Sequence, residues 1–149
     1  METYSKKEES QSVLRQCGLR VTPQRLAIFD FLRDSKDHPN AEGVYQAVKD
    51  RCPAMSLNTV YKNLEAFEQA GLITKFTIGD RQKFHYDPNT KTHPHLLCLS
   101  CSMVKDIDAE IQPHVCDLNE ALAAQTGHQI HRIEIHLVGV CRECLQAAN

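Results

Sequence analysis

The sequence lacks any apolar run near the roughly 20 residues that span a bilayer. Its amino terminus, METYSKKEESQS, lacks the apolar stretch of a secretory signal. Both absences lead us to expect a cytoplasmic protein without a membrane partner. A strong charge of either sign is missing too: 17 Lys and Arg stand against 19 Asp and Glu, a net charge of −2. What is present is a 149-residue chain with 42% hydrophobic and 24% charged residues, the composition of one globular domain or two small ones. Seven cysteines do not imply a disulfide framework in a reducing cytosol; they point to metal binding or redox chemistry.

The near-zero charge is informative once divided. Residues 1–91 carry 14 Lys and Arg against 12 Asp and Glu, whereas residues 92–149 carry 3 against 7 and hold five of the seven cysteines. A basic module joined to an acidic, cysteine-rich one suggests a nucleic-acid reader attached to a sensing or assembly module.

Local signals organise the basic part. Thr22-Pro23 is an N-cap followed by proline, and Leu26, Phe29 and Leu32 recur at helical spacing, predicting a helix over 23–34. Asn40 caps a second helix with Val44, Ala47 and Val48 inward, ending near Asp50. Ser56 caps a third, with Val60, Leu64 and Phe67 inward and Gly71 just past its end. A weakly patterned helix is expected before Gly18. Alternation then predicts strands over 72–76 and 83–86 around a Gly79-Asp80 turn, which completes a winged helix-turn-helix. Asp87-Pro88-Asn89-Thr90 reads as a hinge, dividing the chain into 1–88 and 89–149. Beyond it the pattern predicts strands over 96–99, 104–107 and 129–138 and a helix over 113–126. The class is therefore α+β: an N-terminal winged helix and a small C-terminal α/β domain. A domain of that size buries little core alone, so a metal staple and a partner subunit are expected.

Cys98-x-x-Cys101 and Cys141-x-x-Cys144 are two pairs, each able to present two sulfurs to one ion; together they make a closed tetrahedral site for one zinc per chain. The rivals are a thioredoxin-like redox pair, which lacks its βαβ context, and four buried free thiols. Cys17, Cys52 and Cys116 stand alone. In His93-Pro94-His95 the two imidazoles, at i and i+2 of an extended segment, point the same way. His38, His85 and Asp106 are the further candidate ligands, and an ion held by all five would tie the reader to the second domain, as a switch requires. His114, His128, His131 and His136 read as ordinary solvated or core residues. With its apolar stripe inward, the third helix leaves Asn58, Thr59, Tyr61, Lys62 and Asn63 to face a major groove, while Lys75, Arg81 and Lys83 on the wing could contact phosphates. Arg25, in the first turn of the helix after Thr22, joins them as a DNA-contact candidate.

These residues resemble the ferric uptake regulator family of metal-responsive repressors over nearly the whole chain. The resemblance rests on Gly18 to Arg25, His38-Pro39, Ser56 to Tyr61, Gly71-Leu72, His93 to Cys101 and Gly139 to Cys144, in the family's order. It implies a homodimer on double-stranded operator DNA, a C-terminal dimerisation domain, a structural zinc on the four cysteines, and a regulatory Fe(II) or Mn(II) on His38, His85, His93, His95 and Asp106. Two departures stand out. The position matched by His85 is a carboxylate in the family, so a negative ligand is lost unless Asp87 supplies one; the nitrogen-rich alternative also suits Zn(II), Ni(II) or Cu(II). Thr92 and Pro94 occupy two ligand positions of a third metal site found in many iron sensors. The absent third site and the aspartate at 106 tilt the resemblance toward the peroxide-responsive branch. That branch, the resemblance implies, uses bound Fe(II) to reduce peroxide and oxidises a ligand imidazole, here His38 or His93. The alternatives are an iron-responsive repressor of uptake genes, a constitutive DNA-binding protein whose metals are all structural, and, from another class, a zinc-dependent hydrolase.

Overall fold

The computed structural model of the chain describes residues 2–79, 83–107 and 112–148. They fall into two units, Met1–Thr90 and Lys91–Asn149.

The first unit opens with α1 (Glu2–Gln16), the weakly patterned helix, which buries Leu14 completely. It ends in a closing motif in which the Leu19 N–H donates to the Leu14 carbonyl, with Gly18 at φ 72°. Helix α2 (Pro23–Asp34) starts where Thr22 Oγ1 accepts the Arg25 N–H. Helix α3 (Ala41–Val48) starts where Asn40 Oδ1 accepts the Gly43 N–H at 2.8 Å, and α4 (Leu57–Gln69) where Ser56 Oγ accepts the Thr59 N–H. All three expected caps are in place, each satisfying an amide that its helix leaves without a partner. Gly71 ends α4 at φ 70°, with the Leu72 N–H donating to Phe67. The core joins Leu14, Ile28, Phe29, Leu32, Val44, Val48, Val60, Leu64 and Phe67, with the Phe29 and Phe67 rings 5.4 Å apart. Ala47, expected inward, is exposed; Ala41, at the start of the helix, takes the place beside Val44 and Val48.

The wing is an antiparallel pair, β1 (Thr74–Phe76) and β2 (His85–Asp87), in the register Thr74 with Asp87 and Phe76 with His85. Strand β1 is shorter than expected because Leu72 is used in closing α4. Strand β2 starts and ends later than expected; the Tyr86 N–H is bound to the Pro39 carbonyl.

In the second unit β3 (Pro94–Cys98) lies between antiparallel β4 (Val104–Asp106) and parallel β5 (Ile135–Gly139). Helix α5 (Gln112–Thr126) connects β4 to β5, and the short α6 (Arg142–Ala147) follows. The strand expected over 129–138 shrinks to 135–139, because its partner β3 offers only five residues to pair with. Among the described residues no helix is long and apolar enough to cross a membrane.

Candidate metal centres and nucleic-acid interface

Parallel pairing of Cys98 with Gly139 brings the end of β3 beside the start of α6. Cys98 closes β3, Cys101 sits in the turn after it, Cys141 precedes α6 and Cys144 lies in its first turn. Their sulfurs all lie within 4.8 Å of one another, with Cys101 Sγ and Cys141 Sγ 3.9 Å apart. A tetrahedron with zinc–sulfur bonds of about 2.3 Å has sulfur–sulfur edges of about 3.8 Å. The backbone N–H groups of Cys101 and Cys141 donate to Cys98 Sγ at 3.5 and 3.3 Å, and they hold its thiol at about 6, well below the usual range. Cys98 is thus biased toward the thiolate form that metal binding needs, whereas the Cys101 and Cys141 thiols are shifted up and would ionise on binding the ion; four soft donors in this arrangement fit zinc.

The second unit carries a separate nitrogen and oxygen set. Register places His95 opposite Asp106, with His95 Nε2 3.5 Å from Asp106 Oδ1, and His93 Nε2 reaches the same oxygen at 2.9 Å. His93 Nδ1 donates to the Lys91 carbonyl at 2.6 Å, which fixes the ring's tautomer and turns Nε2 toward the carboxylate. Two imidazoles and one carboxylate form a set that divalent first-row metals use.

In the first unit His38 and Asp87 are both buried, with Nδ1 and Oδ1 3.8 Å apart. His38 adopts φ 44°, a left-handed conformation rare for a non-glycine residue and concentrated at functional sites. Asp87 Oδ1 accepts the Asn89 N–H at 2.7 Å. A carboxylate so buried is costly unless hydrogen-bonded, paired or bound to a metal, and an ion beside His38 would meet that need. His85 does not join this pair: its Nδ1 donates to the His38 carbonyl at 2.8 Å and its ring stacks on Phe76. Of the two acidic or imidazole candidates on this strand, the structure brings Asp87 to His38 where His85 was expected. The two alternate along one strand at i and i+2, so they share a face, and packing selected the later one.

Along α4, Asn58, Tyr61 and Lys62 are exposed and Thr59 half-buried. Asn63 is a correction: it is buried, donating to the Thr59 carbonyl and accepting from Arg25 Nε. The Tyr61 hydroxyl donates to Glu42 at 3.1 Å, and that bond raises its pKa. Lys75 lies 3.2 Å from Glu68 and over the Phe84 ring, while Lys83 is exposed. Arg81 lies outside the described residues. Sequence reasoning did not find Glu42 or the exposed Phe84; neither belongs to a periodic pattern.

A winged helix-turn-helix followed by a four-cysteine cluster and a histidine-carboxylate set defines a metal-binding regulator by class. The ferric uptake regulator family matches residues 16–138. The peroxide operon regulator of Bacillus subtilis is 36% identical over 144 residues, covering 95% of each chain. Among solved structures, the Vibrio cholerae ferric uptake regulator superposes with a TM-score of 0.70 at 28% identity, covering 88% of this chain and 98% of that one. The peroxide-sensing PerR of Streptococcus pyogenes gives 0.52 at 29% identity, covering 93% and 92%. The chain belongs to the ferric uptake regulator family, whose members are metal-dependent transcription regulators rather than enzymes.

Proposed function

We propose that the chain is a cytoplasmic, homodimeric, metal-activated repressor that binds double-stranded operator DNA and releases it in response to peroxide. His38 and Asp87 of the first unit and His93, His95 and Asp106 of the second serve one regulatory ion, Fe(II) or Mn(II), beside a structural zinc on Cys98, Cys101, Cys141 and Cys144. The observation that carries this reading is the burial of Asp87 against His38. It restores the second carboxylate that His85 had removed, and three imidazoles with two carboxylates suit Fe(II) and Mn(II) better than four imidazoles with one. Neither donor set fills a coordination sphere alone, so an ion that uses both stabilises only the arrangement that joins them.

Bound Fe(II) would supply the electrons that reduce peroxide. His38 and His93 hold imidazole carbons next to the nitrogens that ligate, where an oxidant generated at the site would strike first. The relatives named as peroxide regulators support this branch over an iron-responsive one. Dimerisation is supported by apolar side chains left exposed in the second unit: Leu118 and Leu122 one turn apart on α5, Leu137 and Val138 on β5, and Leu145 on α6.

The test is binding to a duplex selected from a random library, with Fe(II), Mn(II) or Zn(II), each before and after peroxide. The reading requires release by peroxide with Fe(II) alone, and mass spectrometry then finds one added oxygen on His38 or His93. Equal release with Mn(II), or oxidation confined to Cys98 and Cys101 with both histidines intact, would replace it with a thiol-based sensor. Binding that ignores both metal and peroxide would leave a constitutive DNA-binding protein.

A further inference from the structure

Asn63 sits among the apolar residues that anchor α4, between buried Val60 and Leu64. A buried amide is costly unless bonded, and both ends of this one are used. Its Nδ2 donates to the Thr59 carbonyl at 2.8 Å, and its Oδ1 accepts from Arg25 Nε at 2.9 Å. Arg25 is fixed from its other sides as well. Its Nη1 donates to the Arg20 carbonyl at 2.8 Å, and its backbone N–H is held by Thr22 Oγ1 at 3.2 Å.

Two features separate this clamp from an ordinary buried ion pair. Both side-chain acceptors are neutral, an amide and a backbone carbonyl, so the guanidinium keeps its full charge. Of the roughly five N–H donors an arginine carries, only Nε and one on Nη1 are engaged by the described residues. The side chain is only half-buried and meets α4 along the turn that carries exposed Tyr61 and Lys62. A planar fork, immobilised and still charged beside a reading helix, suits the bidentate recognition of a phosphate.

We infer that Asn63 is a positioning residue that aims Arg25 at a DNA phosphate. The inference rests on the DNA-binding reading above and adds to it a residue that touches no DNA. Asn63 acts by holding Arg25 in the bound geometry before DNA arrives, so its contribution passes entirely through Arg25.

The experiment is a double-mutant cycle on the full-length, zinc-loaded protein with Mn(II), titrated against operator and random duplexes at several salt concentrations, with thermal melting of each variant. Arg25→Ala should weaken both duplexes about equally, roughly tenfold, and lower the slope of log K against log salt by about 0.9, one phosphate contact. Asn63→Ala should reproduce most of that loss in wild-type protein and add nothing to Arg25→Ala, whereas Lys62→Ala should combine additively with Asn63→Ala. Arg25→Lys keeps the charge but cannot make both clamp bonds, so it should lose most of what Arg25→Ala loses. This arm stands even if Asn63→Ala does not fold. Additive losses for Arg25→Ala and Asn63→Ala, or full binding by Arg25→Lys, would overturn the clamp while leaving the DNA-binding reading intact. Wild-type protein without salt-dependent binding to any duplex would overturn both.

Discussion

Replacing Cys141 by serine should separate the two units thermodynamically. Cys141 is buried, its sulfur is 3.9 Å from that of Cys101, and its backbone N–H donates to Cys98 Sγ. A serine hydroxyl keeps the shape but does not ionise near neutral pH, so one of four thiolates is lost outright. Outside the cysteines, the buried apolar side chains of the second unit among the described residues are Leu97 and Val104, with the small ring of Pro94 beside them on β3. Burying Leu97 and Val104 contributes roughly 3–6 kcal/mol, at about 1.5–3 kcal/mol each. A structural zinc contributes apparent binding energies of about 10–16 kcal/mol, and in such small domains that energy is folding energy. Zinc therefore stabilises the second unit more than the apolar pair does, and the pair does not replace it. Metal analysis should find about one zinc per wild-type chain and almost none in Cys141→Ser. Melting should lose the second unit's transition while the first unit, with its separate core, keeps its own. Cys116→Ser, on the exposed face of α5, is the control and should change neither. A zinc-free Cys141→Ser protein whose β3–β5 amides stay protected from exchange, and which remains dimeric, would refute the reasoning.

Asp87→Asn should abolish activation by Mn(II) while zinc content and melting stay near wild type, and His85→Ala should retain most activation; the reverse outcome would return the ligand role to His85. Tyr61→Ala should cost about 1–3 kcal/mol on operator DNA and less on random duplex, whereas Lys83→Ala should weaken both alike; equal losses for Tyr61→Ala would remove its base-reading role. Burial, with smaller contributions from Tyr61, Glu68 and Glu42, pushes the Tyr86 hydroxyl up to about 12. The unfolded hydroxyl ionises near about 10. The folded state alone therefore keeps this proton between those values, so its stabilising effect is complete below the lower value and is lost as pH rises through the upper one. Tyrosinate absorbance should resolve a late step that Tyr86→Phe removes, and simultaneous titration of all tyrosines would contradict it. Leu137→Asp, which puts a charge on the exposed apolar face of β5, should yield monomers by analytical ultracentrifugation with zinc retained; an intact dimer would place the interface elsewhere.

Much of this protein is local chemistry and could be read from residue types a few positions apart. Thr22, Asn40 and Ser56 cap their helices because each side-chain oxygen needs only an amide two or three residues ahead. Gly18 and Gly71 close theirs because the backbone turns left-handed there at little cost. Cys98-x-x-Cys101 and Cys141-x-x-Cys144 announced a metal because each spacing is a chelate in itself. What required the tertiary structure were choices among residues with equal local claims. His85 and Asp87 share a strand face, and only the packing of β2 on the loop before α3 put Asp87 beside His38 and engaged His85 with a backbone carbonyl. Asn63 lies at the edge of the apolar stripe of α4, where periodicity does not say whether an amide faces water or a partner. Arg25, 38 residues away, decided it. The length of β5 was set by β3, a strand it meets only after the chain has folded. Caps and chelates are energies of neighbouring residues, whereas these three outcomes depend on contacts between distant segments that no window of sequence contains.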